Sequence, residues 1–220
     1  MRPDALARPL DEEPRGGDRV GSGSARTVLV GPSRSGKTTL LLRACLRFCV
    51  ENPTKRALFI ARRSDCDRAR VSLSARELDG APADALERVG MRYVESDEDV
   101  RALACFRHCA AASERPSMYA VDDLGKIVGG GSDRVRREIA YARTLAALHE
   151  CARDETTGET LEVVVSERVD DDTGGAPMRY VYAKWFGEVM QIHDVGDETY
   201  DLVAASDGET VRYSTKSGGD

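Results

Sequence analysis

One stretch of this chain carries residue types in an order that can hold a phosphate group: Gly31-Pro32-Ser33-Arg34-Ser35-Gly36-Lys37-Thr38. An apolar run over 27–30 precedes it, and a helix-like run over 39–44 follows. Strand, glycine loop and helix in that order are what a phosphate-binding loop requires. Gly31 and Gly36 let the loop curl without a Cβ clash, so that main-chain N–H groups point inward as an anion nest. The helix that follows adds the positive end of its dipole. Lys37 is then placed to reach the β- and γ-phosphates of a nucleotide, and the Thr38 hydroxyl to ligate Mg²⁺. The residues expected to hold ATP are Gly31, Pro32, Ser33, Arg34, Ser35, Gly36, Lys37, Thr38 and Thr39.

A metal bound beside phosphates needs a carboxylate across the groove. Asp122 ends the apolar run Met118-Tyr119-Ala120-Val121, and with Thr38 it is the expected Mg²⁺ ligand, acting through water. Hydrolysis needs a further carboxylate to orient the attacking water. Asp123 is placed for that directly after Asp122, and with Lys37 it is the catalytic candidate. The other strand end that could supply one reads Arg62-Arg63, and arginine neither accepts a proton nor orients water as a carboxylate does. The binding half of the site is therefore expected to be intact and the hydrolytic half compromised.

The elements that must position these residues alternate between strands and helices. Strands are expected over 27–30, 57–61, 91–94, 118–121 and 161–165, and two or three more follow in the last third of the chain, with Ser206-Asp207-Gly208 as a hairpin turn. Helices are expected over 37–50, before Pro53, and after Ser96, which has Asp99 as its capping-box partner and a buried face of Val100, Leu103, Ala104 and Phe106. A further helix begins at Ser132 or Asp133, beyond Gly129-Gly130-Gly131, and buries Val135, Ile139, Ala142 and Ala146. The charged stretch 67–88 has weak helical periodicity. This order implies an α/β fold, a mainly parallel sheet flanked by helices with a C-terminal β-hairpin, and places the loop at the carboxyl edge where ligands bind. Residues 1–26, rich in Pro, Gly and charge, read as a disordered tail, 27–214 as the core and 215–220 as a frayed end.

An apolar share of 41% is enough for one core, and a net charge of −6 argues against a protein that binds only DNA. No apolar run approaches the ~20 residues that span a bilayer, and no leader-like run follows Met1. Six cysteines fit free thiols in a reducing compartment, cytosol or nucleus. Cys45 with Cys49, and Cys105 with Cys109 beside His108, are spaced to share helix faces, and read as core thiols rather than metal ligands.

These residues bear a family resemblance. The chain resembles the small RecA-type recombinase paralogues, in particular the SWIM-domain-associated ATPase subunits of animal-type Shu complexes. The resemblance is carried by 31–38, by Leu58-Phe59-Ile60-Ala61-Arg62-Arg63, by Met91-Arg92-Tyr93-Val94 with the acidic helix start after it, and by Ser206-Asp207-Gly208-Glu209. Ala183-Lys184-Trp185-Phe186 is similar to the late core strand of such domains. Two strands between the loop and Asp122 are likewise more similar to RecA-type and AAA+-type ATPases than to simple kinases. RecA-type proteins carry their water-orienting carboxylate where this chain has Arg62-Arg63. Glu167 ends the run Val163-Val164-Val165, where the RecA-type ATPases that this chain resembles carry a polar γ-phosphate sensor.

The resemblance implies a P-loop NTPase of RecA-like fold without the extra N-terminal DNA-binding domain of full recombinases. It implies a SWIM-type zinc-finger partner, a RecA-type recombinase whose filaments are promoted, binding to single-stranded DNA, and a nuclear location. The family's DNA-contacting loop would fall near 168–178, but here it reads Arg168-Val169-Asp170-Asp171-Asp172, which repels phosphate. Better DNA candidates are Arg62, Arg63, Arg68 and Arg70, or Arg134, Arg136 and Arg137. Two other readings compete: a non-catalytic scaffold stabilised by bound nucleotide, and a P-loop small-molecule kinase with the arginines as a lid.

Overall fold

The computed structural model describes residues 3–7, 26–68, 81–129, 133–152, 160–169 and 179–215. Its strands are β1 (Arg26–Gly31), β2 (Arg56–Ala61), β3 (Val89–Tyr93), β4 (Pro116–Val121), β5 (Glu162–Arg168), β6 (Glu188–Gly196), β7 (Thr199–Ala204) and β8 (Thr210–Ser214). Together they form one sheet in the order β3-β2-β4-β5-β1-β6-β7-β8. The first six in that order pair parallel, while β7 runs antiparallel to both β6 and β8. The fold is thus α/β, with a mostly parallel sheet and an antiparallel C-terminal hairpin, as expected. In the chain, β2 and β3 come between the 31–38 loop and Asp122. In the sheet, it is β5 that separates β1 from β4.

The helices are α1 (Pro3–Ala7), α2 (Lys37–Glu51), α3 (Arg63–Arg68), α4 (Ala83–Glu87), α5 (Asp97–Cys105), α6 (Leu124–Val128), α7 (Arg134–Cys151) and α8 (Arg179–Trp185). Strand alternation sorts them into two layers. Leu29, Phe59, Ala120 and Val164 face a core shared with α1, α2 and α4. Val28, Val30, Ile60, Val121 and Val165 face a second core shared with α5, α6, α7 and α8. Burial on both faces explains the near-continuous apolar runs of β1, β4 and β5. Among the described residues no helix is long and apolar enough to cross a membrane.

Local signals placed several elements correctly. Ser96 accepts from the Asp99 amide while Asp99 accepts from the Ser96 amide, a complete capping box at the start of α5. Asp133 caps α7 by accepting from the amides of Val135 and Arg136. Ser132, the other cap considered, and Gly130-Gly131 lie outside the described residues, as do Arg70 and most of the 168–178 loop.

Five expectations need correction. The 1–26 segment is not wholly a tail: Pro3–Ala7 is helical, and Leu6 and Ala7 are buried against α2, β7 and β8. One apolar pair suffices because the core offers a ready surface, a feature invisible in a Pro- and Gly-rich stretch. The stretch 183–186 is no strand, since α8 runs through Trp185. Val181, Tyr182 and Phe186 are the buried positions there, a helical spacing rather than an alternation. The buried face of α7 is Tyr141, Thr144, Leu145 and Leu148, whereas Val135 and Ile139 are 63% and 45% exposed. The aliphatic template missed a face built partly on a tyrosine and a threonine, each of which has a polar partner. Phe106 lies beyond the end of α5 and is exposed, and so are Cys105 and Cys109, which are not core thiols; Cys45 and Cys49 are.

Candidate functional site

The 31–38 loop leaves the carboxyl end of β1 and enters α2 at Lys37. Gly36 has φ +76°, a left-handed turn that a side chain would strain, and a Cβ there would also lie 2.8 Å from Thr215 Cγ2. Gly31 is needed for a different reason, because a Cβ on it would meet Ile192 Cβ at 2.7 Å. The amides of Lys37, Thr38 and Thr39 open the helix and have no acceptor one turn earlier within it.

Lys37 is almost fully buried. Its ammonium donates to the carbonyl of Gly31 at 2.9 Å, to the carbonyl of Pro32, and to Ser35 Oγ at 3.4 Å. The side chain thus lies along the inside of the loop. Burial holds its pKa down to about 8, against the opposing pull of Asp123 and Asp122, while Arg168 pushes it further down.

Across the groove, Asp122 follows β4, and its backbone amide is fixed to the Ile60 carbonyl of β2 at 2.8 Å. Thr38 Oγ1 donates to Asp122 Oδ2 at 2.7 Å, and Ser166 Oγ donates to Asp122 Oδ1 at 2.7 Å. Ser166 Oγ in turn accepts from the Asp123 amide at 2.8 Å. The expected pair Thr38 and Asp122 is therefore brought together, on adjoining oxygens. Burial pushes the Asp122 carboxyl up from its ordinary value, and the two hydroxyl hydrogen bonds and Lys37 oppose that rise. A hydroxyl and a carboxylate are hard oxygen donors, few in number. That set suits a Mg²⁺ ion that keeps waters and takes the rest of its ligands from phosphate oxygens.

The hydrolytic candidates stand differently. Asp123 adopts a left-handed backbone with φ +49°, which an Asp tolerates better than most residues. Its carboxylate pairs with Lys126 at 2.9 Å, and Lys126 also pairs with Asp65 at 3.1 Å. Arg62 donates to the Lys126 carbonyl at 3.2 Å, and the Arg63 guanidinium stacks 4.7 Å from the Tyr93 ring centroid. Glu167, only 2% exposed, accepts from Tyr141 at 2.9 Å, from Tyr182, and from the Arg168 amide at 3.0 Å. Burial raises its pKa as well. It is turned into the α7–α8 layer.

The arginines offered for DNA fall into two groups. Arg62 and Arg63 follow β2, while Arg134, Arg136 and Arg137 occupy the first turn of α7. Arg134 pairs with Glu138 at 2.8 Å and Arg136 with Asp133 at 3.2 Å, both highly exposed, and Arg137 is half-buried. Such exposed pairs are weak and leave the guanidinium groups open to exchange partners.

Ser166, Lys126, Tyr141, Tyr182 and Tyr213 were not foreseen as site residues. Ser166 had a signal, a hydroxyl closing an apolar strand next to the Asp122 strand. The tyrosines had none, because each acts from a distant element. The scan against protein-family models gives no match, and the search of curated proteins gives none either.

Proposed function

We infer that this protein is an ATP-binding P-loop protein of RecA-like architecture, serving as an accessory factor in homologous recombination. The observation that carries the nucleotide reading is the Thr38–Asp122 hydrogen bond of 2.7 Å beside buried Lys37, at the carboxyl ends of two parallel strands. A β-strand between those two strands favours an ATPase-type arrangement over a simple kinase. The Arg62-Arg63 strand ending and the 206–209 turn support the resemblance to the Shu-type recombinase paralogues. Single-stranded DNA, a SWIM-type zinc-finger partner, a recombinase whose filaments are promoted and a nuclear setting follow from that resemblance. Three arginines in the first turn of α7 add some support for DNA, since they oppose the helix dipole and gain from a nearby phosphate.

Weak hydrolysis accompanies this role. The test is titration of a fluorescent ATP analogue with and without Mg²⁺, on wild type and Lys37→Ala. Binding that needs Lys37 and is strengthened by Mg²⁺ supports the reading, and no binding by wild type overturns it.

A second reading, a scaffold that binds nucleotide without turning it over, is favoured by the pairing of Asp123 with Lys126 and by the enclosure of Glu167. Bound nucleotide then only stabilises the fold, by about 2.7 kcal/mol at a hundredfold excess over Kd. DNA-stimulated turnover by the partner complex, abolished in Asp122→Ala, separates the first reading from the second.

A further inference from the structure

The C-terminal hairpin reaches the loop. Tyr213, on β8 and nearly fully buried, donates its hydroxyl to the Ser35 carbonyl at 2.7 Å. It is stacked on Tyr200 of β7, with ring centroids 5.6 Å apart and planes at 28°. Beyond it, the Thr215 amide is tied to the Glu198 carbonyl at 3.0 Å, and Thr215 fills the space beside Gly36. Leu6 of α1 packs into the same core.

The direction of that hydrogen bond has a consequence. The peptide between Ser35 and Gly36 is trans, so its C=O and N–H point opposite ways. Tyr213 draws the carbonyl outward, toward the hairpin, so the Gly36 amide must point inward, to the side where Lys37 lies along the loop. The Ser35 side chain closes the loop from within, donating to the Pro32 carbonyl at 2.9 Å.

We propose that Tyr213 is a positioning residue for phosphate recognition, holding the 35–36 peptide so that the Gly36 amide faces the anion. This rests on the nucleotide-binding reading above. Tyr213 acts on the ligand through the Ser35 carbonyl and not by touching the anion. The ligand class it serves is any di- or triphosphate tail, independent of the base.

The experiment measures Kd for ATP and for inorganic pyrophosphate, by calorimetry, on wild type, Tyr213→Phe and Tyr200→Leu. Loss of one buried hydrogen bond predicts that Tyr213→Phe binds both probes about fivefold more weakly. Tyr200→Leu, which loses the stack but keeps the hydroxyl, melts at lower temperature while holding pyrophosphate within about twofold of wild type. A merely structural role predicts the reverse for Tyr213→Phe, a lower melting temperature with unchanged Kd for both probes, and that result overturns the proposal. If wild type binds neither probe, the nucleotide reading falls and this inference with it. If Tyr213→Phe does not fold, the Gly36 amide resonance of wild type decides. It moves downfield with added pyrophosphate if the amide faces the anion, and stays in place if it does not.

Discussion

Thr38, Asp122 and Ser166 share one hydrogen-bonded set beside buried Lys37, whose ammonium is held by the loop, whereas the carboxylates of Asp123 and Glu167 and the Arg62 guanidinium are each bound to a neighbour outside that set. Both groups lie at the same edge of the same sheet. In the first, two hydroxyls hold the Asp122 carboxylate and Lys37 lies along the loop, the arrangement the nucleotide reading uses. In the second, each group that could move a proton or sense a phosphate is neutralised by Lys126, enclosed by tyrosines, or is an arginine. Under the proposed nucleotide-binding reading, the difference means that binding and turnover rest on separate residues, so that one can be kept without the other.

The comparison breaks most severely at Lys37. Burial holds the Lys37 pKa down to about 8, so its charge opposes folding, and under the nucleotide reading the same charge meets phosphate. Lys37→Met keeps the side-chain length and removes the charge. ATP affinity is expected to fall at least about a hundredfold, as for loss of a buried charged contact to phosphate. Stability is expected to rise by about 1 kcal/mol, because the desolvation of the ammonium outweighs what its hydrogen bonds and the nearby aspartates return. The sign with pH follows from linkage. Below pH 8 both folded and unfolded chains carry the proton and the penalty is full. Between pH 8 and the ordinary lysine value of 10.5 the unfolded chain binds more protons, so wild type gains stability as pH rises and the Met variant does not. Thermal melts of the two proteins from pH 7 to 10 check this. A wild type that gains nothing over the variant in that window refutes it.

Gly125 tests the enclosed half. A Cβ there would lie 2.4 Å from Glu167 Oε1 and 2.8 Å from the Tyr141 hydroxyl. Gly125→Ala is expected to cost about 2 to 3 kcal/mol by overpacking. The loss should appear as a lower melting temperature, and because Glu167 does not hold the ligand, ATP affinity of the folded variant should stay within about threefold of wild type. A large loss of affinity with normal stability would put Glu167 back at the phosphate.

What could be read from the sequence follows the range over which the physics acts. The 31–38 loop, the Ser96 capping box and the end of β4 are set by residues within one turn or one strand of each other, and each was found at its place. The Tyr213–Ser35 bond spans 178 positions and has no local signature, while the Ser166–Asp122 bond spans 44 and is hinted at only by a hydroxyl that closes an apolar strand. The face of α7 was misjudged for a related reason. Which stripe is buried depends on what packs against it, and Tyr141 is drawn inward by Glu167 and Thr144 by Arg101. Helix α8 was misread because a short apolar run does not itself distinguish strand from helix.

Asp122→Asn sharpens the binding half. The amide keeps the volume but offers one acceptor oxygen where two hydroxyls now donate, so either Thr38 or Ser166 must turn. Mg²⁺ should then strengthen ATP binding about tenfold less than in wild type. In wild type the Mg²⁺ effect should fade on acidification at a pH above the ordinary aspartate value, since the folded-state pKa is raised and the protonated carboxyl is no ligand. ATP titrations with and without Mg²⁺ between pH 4 and 8 measure both. Equal Mg²⁺ dependence in the two proteins would remove Asp122 from the metal site.

The smallest effect expected is at Lys126, where the two halves meet. Its ammonium bridges Asp123 and Asp65 on a half-exposed surface, a pair of contacts that solvent already weakens. Lys126→Ala frees the Asp123 carboxylate without touching the loop, Thr38 or Asp122. If Asp123 can orient water, turnover measured by phosphate release should rise roughly two- to fivefold, with ATP affinity unchanged. Adding Asp123→Ala to that variant should return turnover to its starting level, which ties the gain to this carboxylate rather than to a loosened α6. No gain in the single variant would mean that Asp123 lacks the geometry even when released, and the scaffold reading would then describe the protein better than the weak ATPase.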